Sequence, residues 1–210
     1  MMRLKLLFLA LFIPFITFGQ VEVVPYAGYM FGGGVQFLQG DLKIRDGVNY
    51  GTSFIIPDVK YATDLEISYT RLDSKAVFTA YPAYSSYDDD EVNISTNYFQ
   101  IGIMKAFNET GNFIPFGSFS AGATVFSPKT SQYSDTWRFS VALGLGVKMM
   151  FAERVGIMVR GRLLLPMNFG GVGGYYGFGT GGSGGGLYVN SYATIVQGDF
   201  TAGLILKVGK

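Results

Sequence analysis

Trp137-Arg138-Phe139-Ser140-Val141-Ala142-Leu143-Gly144-Leu145-Gly146-Val147-Lys148-Met149-Met150-Phe151 keeps a period of two over its whole length. Trp137, Phe139, Val141, Leu143, Leu145, Val147, Met149 and Phe151 are all large and apolar. The alternate positions, Arg138, Ser140, Ala142, Gly144, Gly146, Lys148 and Met150, are mostly small, with isolated charges. A helix of period 3.6 would mix the two sets, so the segment is an extended strand. Strands of soluble sandwiches also alternate, but their outward face is usually well populated with Lys, Glu and Thr. A face of Gly, Ala and Ser suits the crowded lumen of a narrow barrel and leaves the large face for lipid. The stretch is also long enough for a tilted membrane-spanning strand, which needs roughly 9–11 residues.

Seven further segments carry the same pattern. Val155, Ile157, Val159, Leu163 and Leu165 are expected to face out, with Arg154, Met158, Arg160 and Arg162 facing in. Towards the C-terminus Val196, Phe200, Ala202, Leu204, Leu206 and Val208 alternate with Gln197, Asp199, Thr201, Gly203 and Lys207. The others centre on Val23–Phe31, Tyr50–Ile56, Leu65–Arg71, Tyr98–Phe107 and Phe113–Val125. Pro25 interrupts the first of these, a place where a strand tolerates proline. Three connectors are short: Pro57 to Lys60, Asn108 to Asn112, and Ala152-Glu153. The rest are long: Gly33 to Gly47, Asp73 to Ser95, Ser127 to Thr136, and Asn168 to Ala193. Strict short–long alternation marks an up-and-down membrane barrel with short periplasmic turns and long external loops. The fold class expected is therefore all-β, an eight-stranded antiparallel up-and-down transmembrane β-barrel. Tyr26, Tyr50, Tyr69, Tyr98, Trp137 and Phe151, near strand ends, read as interface girdles.

The N-terminus and the composition agree with export. Arg3 and Lys5 precede an almost wholly apolar run from Leu4 to Phe18, and Thr17-Phe18-Gly19 places small residues three and one before Gln20. That is the pattern of a signal peptide over residues 1–19, cleaved after Gly19, with the barrel domain at 20–210. The 210 residues include no Cys and no His, and the net charge is +1. Disulfide frameworks, thiol nucleophiles and His-based triads are thereby excluded, as are the usual ligands of zinc, haem and iron–sulfur centres. A cofactor is not expected, and nothing points to nucleic acid as a partner.

Three stretches carry a family resemblance: Pro25-Tyr26-Ala27-Gly28-Tyr29, Asn49 to Arg71 with Leu65-Glu66-Ile67-Ser68-Tyr69-Thr70-Arg71, and Gly203-Leu204-Ile205-Leu206-Lys207-Val208-Gly209-Lys210. With them the chain resembles the small outer-membrane β-barrel proteins of the OmpX, OmpW and opacity type, in the branch common in Bacteroidetes. The resemblance implies outer-membrane lipid and the outer-membrane assembly machinery as partners. Many barrels of that type end on an aromatic residue, whereas this chain ends on Lys210.

Three groups of residues are candidates for chemistry. The inward charges Glu66, Arg138, Lys148, Arg160, Arg162, Asp199 and Lys207 are expected to form salt bridges across a filled lumen, because unpaired charge there is costly. The competing reading is a narrow anion-preferring path lined by Arg160 and Arg162. The run Asp88-Asp89-Asp90-Glu91 offers hard oxygen ligands for Ca²⁺ or Mg²⁺ but lacks EF-hand spacing; the alternative is a solvated loop tip. Phe169 to Tyr188, where Gly alternates with Tyr, Phe and Ser, lacks the features of a phosphate loop and reads as a flexible external loop able to contact a surface partner; the alternative is a disordered loop with no partner. The function expected is a structural or surface-interaction barrel acting through its loops. The alternative is a small-solute channel or uptake porin. No acid–base constellation supports an enzyme acting on lipid or protein.

Overall fold

A computed structural model describes residues 20–36, 40–59, 63–82, 90–108, 111–130, 134–179, 182–193 and 195–209. Its strands in chain order are β1 (Val21–Phe31), β2 (Gly34–Gln36), β3 (Gly40–Ile44), β4 (Gly47–Ile56), β5 (Thr63–Ala80), β6 (Asp90–Ala106), β7 (Phe113–Pro128), β8 (Thr136–Met150), β9 (Val155–Gly179), β10 (Gly182–Ala193) and β11 (Gln197–Val208). Eight of them form a closed antiparallel ring in the order β1, β4, β5, β6, β7, β8, β9, β11, and β11 returns to β1 through pairs such as Tyr29 with Phe200 and Val23 with Leu206. The segments expected to span are these eight. Closure leaves no unpaired edge within the membrane, the condition that any β-structure must meet in lipid.

The period-two pattern sorts the wall as expected. Leu143, Leu145, Phe119, Ile103, Val159 and Phe200 stand exposed on the outside. Ser140, Ala142, Arg160, Arg162, Asp199 and Thr201 are buried inside. Such an apolar outer belt around a polar-containing interior inverts the arrangement of a soluble barrel and fits a hydrocarbon surround. In the described residues of the short connectors the chain reverses tightly. Phe151 and Ala152 both donate to the Val155 carbonyl, and Val59 donates to that of Thr63. Asp58 and Gly111 hold the positive φ values, 52° and 96°, that these reversals need.

Three expectations fail on side-chain direction. Tyr26 and Tyr98 are not girdle residues: they sit on the inward face of β1 and β6 and are 5% and 1% exposed. Their parity, opposite to that of Tyr29 and Phe99, sends them into the lumen. Arg154 is not inward either; it lies exposed in the turn before β9, where its carbonyl accepts the Lys207 N–H. Tyr50 and Trp137 do stand outward, at 46% and 64% exposure.

Much of the long connectors is also strand. β5 and β6 stay paired as far as Phe78 with Asp90, beyond the last β6–β7 pair, Ile94 with Pro128. β3 pairs with the upper part of β5 from Gly40–Ala80 to Ile44–Ala76, and β2 pairs with β3. β9 and β10 form a second hairpin, Gly182 opposite Gly179, with a register shift between Asn190 and Ser191. The stretch read as a flexible Gly/Tyr loop is therefore a β-ribbon in its described backbone. The barrel thus carries two sheet extensions at its long-connector end.

Leu143, mid-strand on the outer face of β8, should be far more sensitive to charge than Val155 at the foot of β9. Leu143→Arg is expected to lower folding stability in lipid vesicles by about 2–4 kcal/mol and Val155→Arg by about 0–1 kcal/mol. Equal costs would place the hydrocarbon belt elsewhere.

Candidate functional site

The centre of the lumen is built on one tyrosine and two arginines. Arg160 and Arg162 are two residues apart on β9, so both enter the barrel. Their guanidinium carbons lie 5.5 and 5.4 Å from the centroid of the Tyr26 ring. Tyr26 itself is fixed by its hydroxyl, which shares a hydrogen bond with Thr70 Oγ1 at 2.7 Å and donates to the Tyr69 carbonyl at 3.0 Å. Gly51, its neighbour on β4, makes this possible: a Cβ there would lie 2.9 Å from the Tyr26 ring and hydroxyl.

Each arginine then finds a carboxylate. Arg160 donates from Nη1 to Glu66 Oε1 at 2.6 Å, and Ser53 donates to the same oxygen at 2.6 Å. β9 and β5 are four strands apart in a ring of eight, so this pair crosses the full width of the lumen. Arg162 holds Asp199 on the neighbouring strand through Nε at 3.0 Å and Nη2 at 2.5 Å, and reaches across to Thr70 at 3.1 Å. Asn49 Nδ2 donates to the second Asp199 oxygen at 2.8 Å. The two-point fit of guanidinium to carboxylate fixes orientation as well as charge. Across the ring again, the Tyr98 hydroxyl donates to Gln197 Oε1 at 2.5 Å. Asn49 Oδ1, Arg160 Nε and Gln197 Nε2 have no protein partner, and such buried groups are the ones that an enclosed water satisfies.

Apolar layers lie on both sides of this network. Towards the short turns, Val24, Ile55, Met104, Phe116, Met158 and Ile205 form one cluster; towards the long connectors Met30, Leu72, Ile94, Phe126, Leu164 and Ile195 belong to another. Inward residues of β9 pass through them in order: Met158, Arg160, Arg162, Leu164. Val24, Ile55, Ile205, Leu72, Leu164 and Met30 are each 0% exposed, so among the described residues both layers are tightly filled at these positions. Beyond the lower layer, at the short-turn mouth, Lys148 donates to Glu22 at 2.8 Å and Asp64 at 3.0 Å, and Lys207 lies 3.6 Å from Glu22. These residues rim an open cavity of about 290 Å³ floored by Met104 and Phe116.

Of the seven inward charges singled out, Glu66, Arg160, Arg162 and Asp199 meet in the central network, and Lys148 and Lys207 meet at the lower mouth. Arg138 joins neither. It bonds the carbonyl of its neighbour Trp137 at 3.1 Å in an exposed position at the upper rim, because β8 leaves the closed lumen there. The acidic run does not present a set of free ligands in its described part. Asp88 and Asp89 lie outside the described residues, and Asp90 is described only as the first residue of β6. Glu91 gives one oxygen to Lys75 at 2.5 Å and the other to Arg45 at 2.9 Å. The Lys75 ammonium, with Arg45 beside it, holds its carboxyl below the usual range. Sequence reasoning missed Glu22, Asp64, Asn49 and the central place of Tyr26. All four share the inward parity of their strands, and the unmatched inward cations were a signal that more acids had to face them. With them, Glu22, Asp64, Glu66 and Asp199 balance Lys148, Arg160, Arg162 and Lys207.

Chemically the arrangement holds charge still. Every one of these carboxylates is engaged by a cation, and the central pairs are buried. Removing one partner of such a pair strands the other. Arg162→Met and Asp199→Asn are each expected to destabilise the barrel by about 3–5 kcal/mol, while Arg162→Met combined with Asp199→Leu should cost less than either single change. Urea titration in vesicles, followed by the emission of the one tryptophan, Trp137, measures this. Single changes within about 1 kcal/mol of wild type, the range of exposed pairs, would show that the network carries little.

No protein-family model matches the chain, and no curated protein matches it in sequence. Solved structures do. Neisserial surface protein A superposes with a TM-score of 0.55 at 13% identity, over 90% of this chain and 99% of that one. The outer membrane protein AlkL gives 0.51 at 11% identity, over 91% and 92%. The outer membrane protease OmpT of Escherichia coli gives 0.45 at 7% identity, over 91% and 98%. At these identities the likeness to the first two is one of fold, and the fold is that of the small outer-membrane β-barrels.

Proposed function

We propose that the chain is an exported outer-membrane barrel whose membrane part is a closed support and whose contacts with its surroundings are made above the long-connector end. The carrying observation is the cross-lumen network of Tyr26, Glu66, Arg160, Arg162 and Asp199, enclosed between two apolar layers. A solute path needs a continuous polar or open lumen. Here the axis is crossed by an ion pair and blocked above and below by side chains without exposed surface. The reading takes residues 1–19 as a signal peptide removed after Gly19, and the assembly machinery as the partner that inserts the mature chain. It takes the short turns as periplasmic, in keeping with the general pattern of such barrels. The fold likeness to outer-membrane proteins supports this location.

The upper extension suits an interaction role. Its sheet of β2, β3, β5 and β6 is braced by charge and hydrogen bonds: Arg45 and Lys75 hold Glu91, and the Tyr81 hydroxyl donates to Asp41 at 2.8 Å. A braced sheet presents side chains at little further ordering cost, which favours contact with a partner. Catalysis is not part of the proposal, since the chain has no His or Cys and the lumen carboxylates are all committed to cations.

Planar-bilayer recording of the refolded mature barrel should show no conductance, both for the wild type and for Arg162→Ala, because the apolar layers remain. A sustained open state of the wild type would overturn the closed-support reading and favour a small-solute channel.

A further inference from the structure

The outer wall carries a feature that a closed support does not require. On the lipid side of β6, β7, β8, β9 and β11 lies an apolar groove of about 800 Å³, with Ile103, Phe107, Phe119, Leu143, Leu163 and Phe200 among its walls. The strand register shows how it forms. Lys105 pairs with Gly117, Gly117 with Leu145, Leu145 with Gly161, and Gly161 with Phe200. This cross-strand row points outward, and glycine occupies two of its five places where neighbouring rows carry Phe, Leu and Val. Two aromatic rings lean over these glycines and form the walls of the groove. Phe107 lies 3.0 Å from where a Cβ of Gly117 would be, and Phe200 lies 3.0 Å from that of Gly161. Phe31 meets the Phe200 ring edge-on, with centroids 6.2 Å apart and planes at 90°, so the upper end of the groove is held in place.

The foot of the groove is charged. Lys105 is exposed on the outer wall, one residue before β6 ends, at the short-turn boundary of the apolar belt. It has no ion-pair partner among the described residues. A lysine so placed extends its ammonium into the headgroup layer while its stem lies on apolar surface. Five strands spaced about 4.8 Å apart give the row a length of about 19 Å. The row leaves the interface at Lys105 and climbs obliquely towards Phe200. An apolar trough that starts at a single unpaired cation in the headgroup layer matches an acyl chain joined to an anionic phosphate. A second copy of the barrel would bring an identical lysine and no complementary charge.

We propose that this groove is a seat for one anionic phospholipid of the leaflet at the short-turn end, with an acyl chain along Gly117, Leu145 and Gly161 and the phosphate on Lys105. Native mass spectrometry of the refolded full chain, released from vesicles of equal parts phosphatidylglycerol and phosphatidylcholine, tests it. One retained phosphatidylglycerol per barrel is expected, preferred about tenfold over phosphatidylcholine, as roughly 1.4 kcal/mol of charge recognition would give. Lys105→Glu should abolish the preference, and Gly161→Leu, which fills the trough, should lower retention of both lipids. Arg154→Glu, at the same end but outside the groove, should leave the preference intact. Gly117→Leu serves as the filling variant if Gly161→Leu does not fold. Retention in the bulk lipid ratio, an unchanged preference in Lys105→Glu, or an equal loss in Arg154→Glu would overturn the proposal. A dimer lost on filling the groove would overturn it in favour of a second copy.

Discussion

A ring of eight strands encloses too little space for a charged side chain to stay solvated, and the architecture follows from that constraint. A charge that points inward must meet its opposite within the lumen or not be there at all. Arg160 and Arg162 meet theirs in Glu66 and Asp199, with the Tyr26 ring against both guanidinium groups and further hydrogen bonds involving the Thr70, Ser53 and Asn49 side chains. Because Glu66 and Arg160 stand on opposite walls, the same bond that satisfies the charges also ties the ring across its diameter. The apolar layers on either side raise the strength of these contacts by keeping bulk water away, and raise equally the penalty for losing one of them.

This interior leaves the rest of the molecule to deal with its environment. Below the sealed region, Lys148 is shared by Glu22 and Asp64 in a mouth open to solvent. Around the wall, large apolar side chains meet lipid, interrupted by the glycine-floored groove. Above, the strands continue past the level where the ring is closed and recruit β2 and β3, so that what could have been loops becomes sheet. The described side chains thus fill the centre of the ring, and the sheet continues above it as a braced extension.

The wall was legible in the sequence wherever the two faces differ in kind. β8 reads without ambiguity because Leu, Val and Phe alternate with Gly, Ala and Ser. The apolar layers were much less legible, for a physical reason: where the lumen is apolar, both faces of a strand are apolar and the period of two disappears. Leu163-Leu164-Leu165 and Leu204-Ile205-Leu206 are such places, and their central residues, Leu164 and Ile205, are the ones that close the lumen. Tyr26 fell to the opposite error, since an aromatic near a strand end is usual at the interface and its parity says otherwise. The upper extensions escaped because the turn-forming residues and charges that populate these strands read as loop. Pairing partners across the lumen, such as Arg160 with Glu66, depend on ring order and register, which no local pattern contains.

Surrounding side chains bury the Arg162–Asp199 pair at the centre of the lumen, leaving 3% and 0% of the two side chains exposed. The most direct test is hydrogen exchange at arginine Nε, followed by nitrogen-resolved NMR of the barrel in lipid nanodiscs. The Arg162 Nε–H, which donates to Asp199, is expected to exchange many times more slowly than that of Arg45, which is 59% exposed on the upper extension. Exchange at Arg162 as fast as at Arg45 would show that water reaches the centre of the lumen and would contradict that burial.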